Sequence, residues 1–243
     1  MKSYAVLGYS AALLAVTVVA QASTITYDLQ GDWSNSSNSN GVWSYMAGSS
    51  LLPFQNSSSC YAGVQGFGGG WAPSPNLGDC IPTVFQATAN ASNPNDWQTG
   101  DILLHSYDSA NGGSNGQVFV TWTAPVSGTI TYTGGIWYAH SAVQRSDDFY
   151  LTYDATTLQS GTVAYNSAVG SNRSNQLTFS GGSMSVNAGD VIALELVKSE
   201  TSPYGALAGV NLTINETSGP EPGTFWLIGG ACGLLAVVPR RRA

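Results

Sequence analysis

The feature that most constrains this chain is a period-two alternation repeated in short runs. Ile25, Tyr27 and Leu29 alternate with polar neighbours, and Val118, Val120 and Trp122 do so in Q-V-F-V-T-W-T-A. Ile130 with Tyr132, then Phe149, Leu151 and Tyr153, then Ile192, Leu194 and Leu196, then Val210, Leu212 and Ile214 keep the period. Successive side chains of a strand point to opposite faces, so the pattern predicts strands with one buried face. Clusters of Gly, Asn, Ser and Asp separate the runs, at 34–41, 111–116, 170–175 and 181–182. No amphipathic helical period appears between them. Many short strands divided by turns predict an all-β fold, an antiparallel β-sandwich rather than βαβ units. The last two strands are joined by a loop from Lys198 to Ala208.

The two ends follow other rules. Residues 1–22 read as a signal peptide with a helical apolar stretch: Lys2, an apolar run from Ala5 to Ala20, then Ala20-Gln21-Ala22 as a small-x-small cleavage site. Residues 219–243 combine Pro220-Glu221-Pro222, an apolar run from Thr224 to Val238, and Arg240, Arg241 and Arg242. The prolines cannot extend a helix backwards, so a single transmembrane helix starts after them. At about 15 residues it is roughly 22 Å long, short of the roughly 30 Å hydrocarbon core. Bilayer thinning and snorkelling arginines cover the shortfall. Arginines directly after the span favour the cytoplasmic side.

This order of tripeptide, short span and terminal arginines resembles the PEP-CTERM protein-sorting tail. The resemblance covers about the last tenth of the chain. It implies export in a Gram-negative bacterium, a membrane-anchored intermediate, and cleavage near the tripeptide by an exosortase. A permanent anchor helix that is never cut is the alternative.

Residues 23–218 are left as one domain. Of seven Lys and Arg it keeps Arg145, Arg173 and Lys198; of fourteen acids it loses only Glu221, so its formal charge is −10 (three positive, thirteen negative). So acidic a domain has no electrostatic footprint for nucleic acid. Cys60 and Cys80 are an even pair in an oxidising compartment, and a disulfide between them is expected. It would close a loop of about 20 residues, worth roughly 3 kcal/mol in the chain-entropy model. That loop is too rich in Gly and Pro to order itself.

A second resemblance runs through the domain. Y-D-L-Q-G-D-W-S and N-S-N-G-V-W-S-Y (within 27–45), D-I-L-L-H-S (101–106), V-T-W-T-A-P-V-S-G-T-I (120–130) and A-G-D-V-I-A-L-E (188–195) follow in order. Together they resemble a jelly-roll module of secreted bacterial proteins, similar in plan to carbohydrate-binding modules. Ser39 and Ser106 depart from the module's usual proline and Pro-Gly. The resemblance implies a jelly-roll-like sandwich and no settled activity.

Sugar binding needs a flat apolar surface with polar groups nearby. Trp122 is in phase with the core, and Trp33, Trp43 and Trp137 read as core or edge packing. Trp71, after three glycines, and Trp97, in N-P-N-D-W-Q-T-G-D, read as loop tryptophans and are the candidate glycan-binding residues. Folding back onto the sandwich is the stronger alternative for each. Asp96 and Asp101 with Asn93 and Asn95 are oxygen donors, but no EF-hand-type spacing occurs and turn chemistry explains them equally well. No metal or other cofactor is expected.

Catalytic motifs are poor. Ser114 in G-G-S-N-G lacks the strand-turn-helix frame of a nucleophile elbow. His105 and His140 are too few for a multi-histidine metal site, and His105 reads as a structural residue in a strand. Asp147-Asp148 reads as a solvated turn; in a strand the two would point to opposite faces. Asn-x-Ser/Thr triplets follow from an Asn- and Ser-rich composition. The sequence thus points to an exported, non-enzymatic cell-envelope or extracellular-matrix protein. Its expected partners are exosortase, the membrane before cleavage, and exopolysaccharide. A glycan-binding module with a defined ligand is the first alternative and a hydrolase with an unfamiliar site the second.

Overall fold

The computed structural model describes residues 22–56, 67–73, 81–107, 117–140, 143–200, 202 and 204–218. The signal segment before Ala22, Cys60, Cys80, Ser114 and the whole tail from Gly219, with Pro220, Glu221, Pro222, Arg240, Arg241 and Arg242, lie outside the described residues. Among the described residues no helix is long and apolar enough to cross a membrane.

Fourteen strands carry the described chain: β1 (Thr24–Asp28), β2 (Trp43–Ala47), β3 (Ser50–Leu51), β4 (Phe54–Asn56), β5 (Phe67–Ala72), β6 (Thr83–Ala87), β7 (Ile102–His105), β8 (Val118–Thr123), β9 (Gly128–Tyr138), β10 (Ser146–Tyr153), β11 (Thr156–Ala164), β12 (Leu177–Val186), β13 (Val191–Lys198) and β14 (Leu207–Ser218). A 3-10 turn at Arg173–Asn175 is the only described helical element. One sheet has the order β12-β9-β14-β7-β6-β5-β4, with β1 also paired to β14; the other has β11-β10-β13-β8-β2-β3. Each of these pairings is antiparallel. This is the sandwich that the alternation predicts.

Register turns the alternation into a core. In the second sheet Tyr45, Val120, Leu194 and Leu151 lie opposite one another in a row across four strands. Trp43, Trp122, Ile192 and Tyr153 form the next row. In the first sheet Ile130, Tyr132, Ile136 and Tyr138 on β9 face inward with Ala208, Val210, Leu212 and Ile214 on β14. Val120, Trp122, Ile130, Leu151, Leu194 and Leu212 are all buried, as expected. Ile25 is the exception to its run: it lies on β1 and stays 47% exposed.

The first sheet is also covered on its outer side. Phe85, Leu103, Trp137 and Leu207 form a second apolar cluster with Ala72, Ala87, Ala139 and Trp97. Gly209 makes room for it, because a Cβ there would overlap the Trp137 ring.

The glycine-rich stretch before Trp71 corrects the sequence reading. It is not part of a loop but of β5, paired with β4 and β6. A Cβ on Gly70 would come within 2.5 Å of Phe85 Cβ and the Val84 carbonyl. Close cross-strand approach, rather than a turn, requires glycine there.

Two substitutions test this packing. Trp122→Ala empties the centre of the core and should cost about 3–5 kcal/mol in urea unfolding. Gly209→Ala should cost about 1–3 kcal/mol by displacing Trp137. Wild-type midpoints for both would contradict the packing.

Candidate functional site

The two tryptophans that sequence reading singles out are interior. Trp71 is 6% exposed on β5, and its Nε1 donates to the Ser34 carbonyl at 3.0 Å. Trp97 is 3% exposed in the β6–β7 connection, within the outer apolar cluster. Neither ring presents a face to solvent, so the stacking-platform expectation gives way to folding back onto the sandwich.

The acids beside Trp97 hold that connection down. Arg173 Nε lies 2.8 Å from Asp101 Oδ2, and its Nη2 3.2 Å from Asp101 Oδ1. The Arg173 backbone N–H donates to Asp96 Oδ2 at 2.6 Å. The guanidinium stands 5.7 Å over the Trp137 ring, whose Nε1 donates to the Asp96 carbonyl at 2.8 Å. Asp96 and Asp101 therefore serve as loop anchors. No group of three or more His, Cys, Asp or Glu among the described residues is placed to hold a metal ion.

A different set of residues converges at one end of the sandwich, where β7, β9 and β13 finish and β10 and β14 begin. Ser106 follows β7. Its hydroxyl donates to Asp147 Oδ1 at 2.8 Å and accepts from the Ala206 N–H at 3.0 Å. The Ser106 N–H donates to the Ala206 carbonyl at 3.1 Å. Gly205 permits this closeness, since a Cβ there would fall 2.5 Å from Ser106 Oγ and 2.8 Å from the Tyr107 carbonyl.

Arg145 Nη1 donates to the Gly205 carbonyl at 2.6 Å, and its guanidinium sits 5.0 Å over the Tyr204 ring. Tyr204 remains 42% exposed. Lys198 Nζ donates to the carbonyls of Ser199 and Ser202 at 3.2 and 2.8 Å. Around them Tyr107 OH, His140 Nδ1, Asp147 Oδ2 and Ser199 Oγ are buried without a hydrogen-bond partner. Four such atoms, three in loops and one on β10, form a buried polar centre with hydrogen-bonding capacity left over.

Asp147 corrects the solvated-turn reading: it lies within β10 and is fully buried, opposite Lys198 and Val163 in register. Asp148 points the other way and accepts from Thr162. Burial pushes the Asp147 carboxyl well above the usual carboxylate range, against the pull of its bonds from Ser106 and Ala206. Burial lowers His105 to about 3 and, helped by the nearby Arg145 charge, His140 to about 4.

Ser106, His105 and Asp147 are neighbours but do not form a catalytic triad. His105 Nδ1 lies 2.7 Å from the Ser106 carbonyl oxygen, while the hydroxyl is committed to Asp147. A nucleophilic serine needs the imidazole on its hydroxyl.

Sequence reading missed Ser106, Tyr107, Arg145, Asp147, Lys198 and Tyr204 as a group. The available signal was that Arg145 and Lys198 flank predicted strands. Antiparallel pairing of β10 with β13 brings those two ends together.

No family model matches the sequence, and no curated protein matches it. Among solved structures, the K1 and K3 cleaved adhesin domains of Lys-gingipain from Porphyromonas gingivalis are similar at 11% identity each, with TM-scores of 0.37 and 0.36. They cover 81% and 79% of this chain and 99% and 98% of their own. A family 35 carbohydrate-binding module from Clostridium thermocellum is similar at 12% identity and TM-score 0.29, over 54% of this chain and 86% of that one. Scores this low carry no argument about what this chain binds.

The buried acid gives a pH test. The folded state holds the Asp147 proton above the pH at which the unfolded chain releases it, so Asp147 costs stability as pH rises from about 4. Asp147→Asn keeps an oxygen for Ser106 and Ala206 and removes the titration. The variant should gain stability over wild type from pH 4 to pH 8 in urea unfolding. A difference that does not change with pH would contradict the buried, protonated acid.

Proposed function

We propose that this is an exported, non-enzymatic envelope or matrix protein, sorted by its C-terminal tail and associated with exopolysaccharide through the Tyr204 end of the sandwich. The observation that carries the polysaccharide reading is the exposed Tyr204 ring, fixed under Arg145. A ring held on a sandwich end offers the flat apolar surface a sugar's C–H face requires. The Arg145 N–H groups that the Gly205 bond leaves over suit its hydroxyls. The two loop tryptophans do not offer this, being buried.

The sorting reading rests on Pro220-Glu221-Pro222, the short span and the three arginines. The prolines keep the cleavage segment extended, which is the form a transpeptidase cleft can take in. The arginines hold the far end on the cytoplasmic side.

Two measurements test these halves separately. The full chain should be retained on the exopolysaccharide of its host, and Tyr204→Ser should weaken retention about tenfold, the loss of a stacked aromatic contact. Unchanged retention by Tyr204→Ser would move the contact elsewhere. Intact-mass analysis of surface or extracellular material should show loss of roughly residues 223 onward. Material still carrying Trp226 and the arginines would make the tail a permanent anchor.

A further inference from the structure

We infer that the Tyr204 end binds an anionic saccharide, a polysaccharide bearing acid groups, with Arg145 and Lys198 taking the acid and the Tyr204 ring taking the sugar face; this rests on the polysaccharide reading above. The domain has thirteen acids and three cations, yet two of the three cations stand at this one end. Its neighbours there, His105 and His140, are neutral at pH 7 because burial depresses both.

Among the described residues neither cation forms a salt bridge with an acid; the one salt bridge is Arg173 with Asp101. Arg145 and Lys198 instead donate to backbone carbonyls, of Gly205 and of Ser199 and Ser202. Carbonyls orient a cation without cancelling its charge. Arg145 has five N–H donors in a planar fork suited to a carboxylate, and the Gly205 bond uses one of them. Asp147, opposite Lys198 in register and near enough to Arg145 for their charges to interact, is fully buried and committed to Ser106 and Ala206, and it forms no salt bridge with either cation. Asp148 faces away and is bonded to Thr162; Glu200, exposed in the Lys198 loop, forms no salt bridge with either cation.

A bare anion site would not need the rest. The Tyr204 ring beneath Arg145 is open to solvent and offers a flat apolar surface beside that cation. An acid group and a hydroxyl-bearing ring in one ligand satisfy both halves.

The test is retention of the full chain on polygalacturonate, on sulfated carrageenan, on neutral dextran and on inorganic polyphosphate. We expect retention on one or both acidic glycans and weak retention on dextran and polyphosphate. Arg145→Gln and Lys198→Gln should each weaken it about tenfold, the loss of one charge-assisted hydrogen bond, and 0.5 M NaCl should weaken it further through screening. Glu200→Gln should leave it equal or stronger. Thermal melts matching wild type establish that each variant is folded, and Tyr204→Ser, at an exposed position, serves if Arg145→Gln is not. Equal retention on dextran, indifferent to Arg145→Gln and Lys198→Gln, would overturn the anionic ligand and keep the polysaccharide reading. Equal retention on polyphosphate would reduce the site to a general anion binder and overturn the saccharide. No retention on any glycan, the host's included, would overturn both readings.

Discussion

Everything in this domain depends on two adjacent rows of side chains in register on one sheet face. Trp43, Trp122 and Ile192 form one row, and Tyr45, Val120, Leu194 and Leu151 the other. All are fully or almost fully buried against the inner face of the β9–β14 sheet. Each large side chain removed from water contributes about 1.5–3 kcal/mol. A one-residue slip would send a whole row into solvent, so the rows fix register as well as stability. With register fixed, the ends of β7, β10, β13 and β14 meet at defined positions. The Ser106, Asp147 and Ala206 bonds then tie them together.

That arrangement explains why the tryptophans do not form the ligand surface. The second apolar layer, on the outer side of the first sheet, takes Trp97 and Trp137 and is locked by Arg173 between Asp101 and the Trp137 ring. Trp71, on β5, packs into the inner core with its Nε1 on the Ser34 carbonyl. One of the domain's three cations is thus committed to holding a loop. The other two, Arg145 and Lys198, are set among backbone carbonyls beside an exposed tyrosine. The motifs 27–45 and 101–106 acquire physical meaning in the same way. Asp28 and Asp32 close the loop after β1, with Trp43 Nε1 donating to Asp32 Oδ2 at 3.1 Å. Asp101 and Ser106 bracket β7 with the Arg173 and Asp147 bonds.

The strands were legible because their burial is one-sided. Of the residues the alternation names on β8, β10, β13 and β14, all but the half-buried Tyr153 are buried, while Thr121, Asp147 and Glu216 are buried polar residues it does not name. β5 was not legible, since four of the six residues in F-G-G-G-W-A are glycine or alanine and close backbone approach leaves no hydrophobic period. β7 shows none either, being buried on both sides. Asp147 reads as a turn because an acid is rarely placed on an inward face; there the bonds from Ser106 and Ala206, with burial favouring the protonated form, accommodate it. The Tyr204 end was hidden for a simpler reason. It joins residues 106, 145, 198 and 204, and no pattern in one segment reveals which strand ends will be neighbours.

The central claim is that the interior aromatics build the domain while the loops around Tyr204 meet the ligand. Amide hydrogen exchange with and without acidic polysaccharide tests this most directly. The account predicts slower exchange on binding in 143–147 and 204–207, with the Trp97 connection, 88–101, unchanged. Slowing confined to 88–101, or to the β5 segment carrying Trp71, would contradict it.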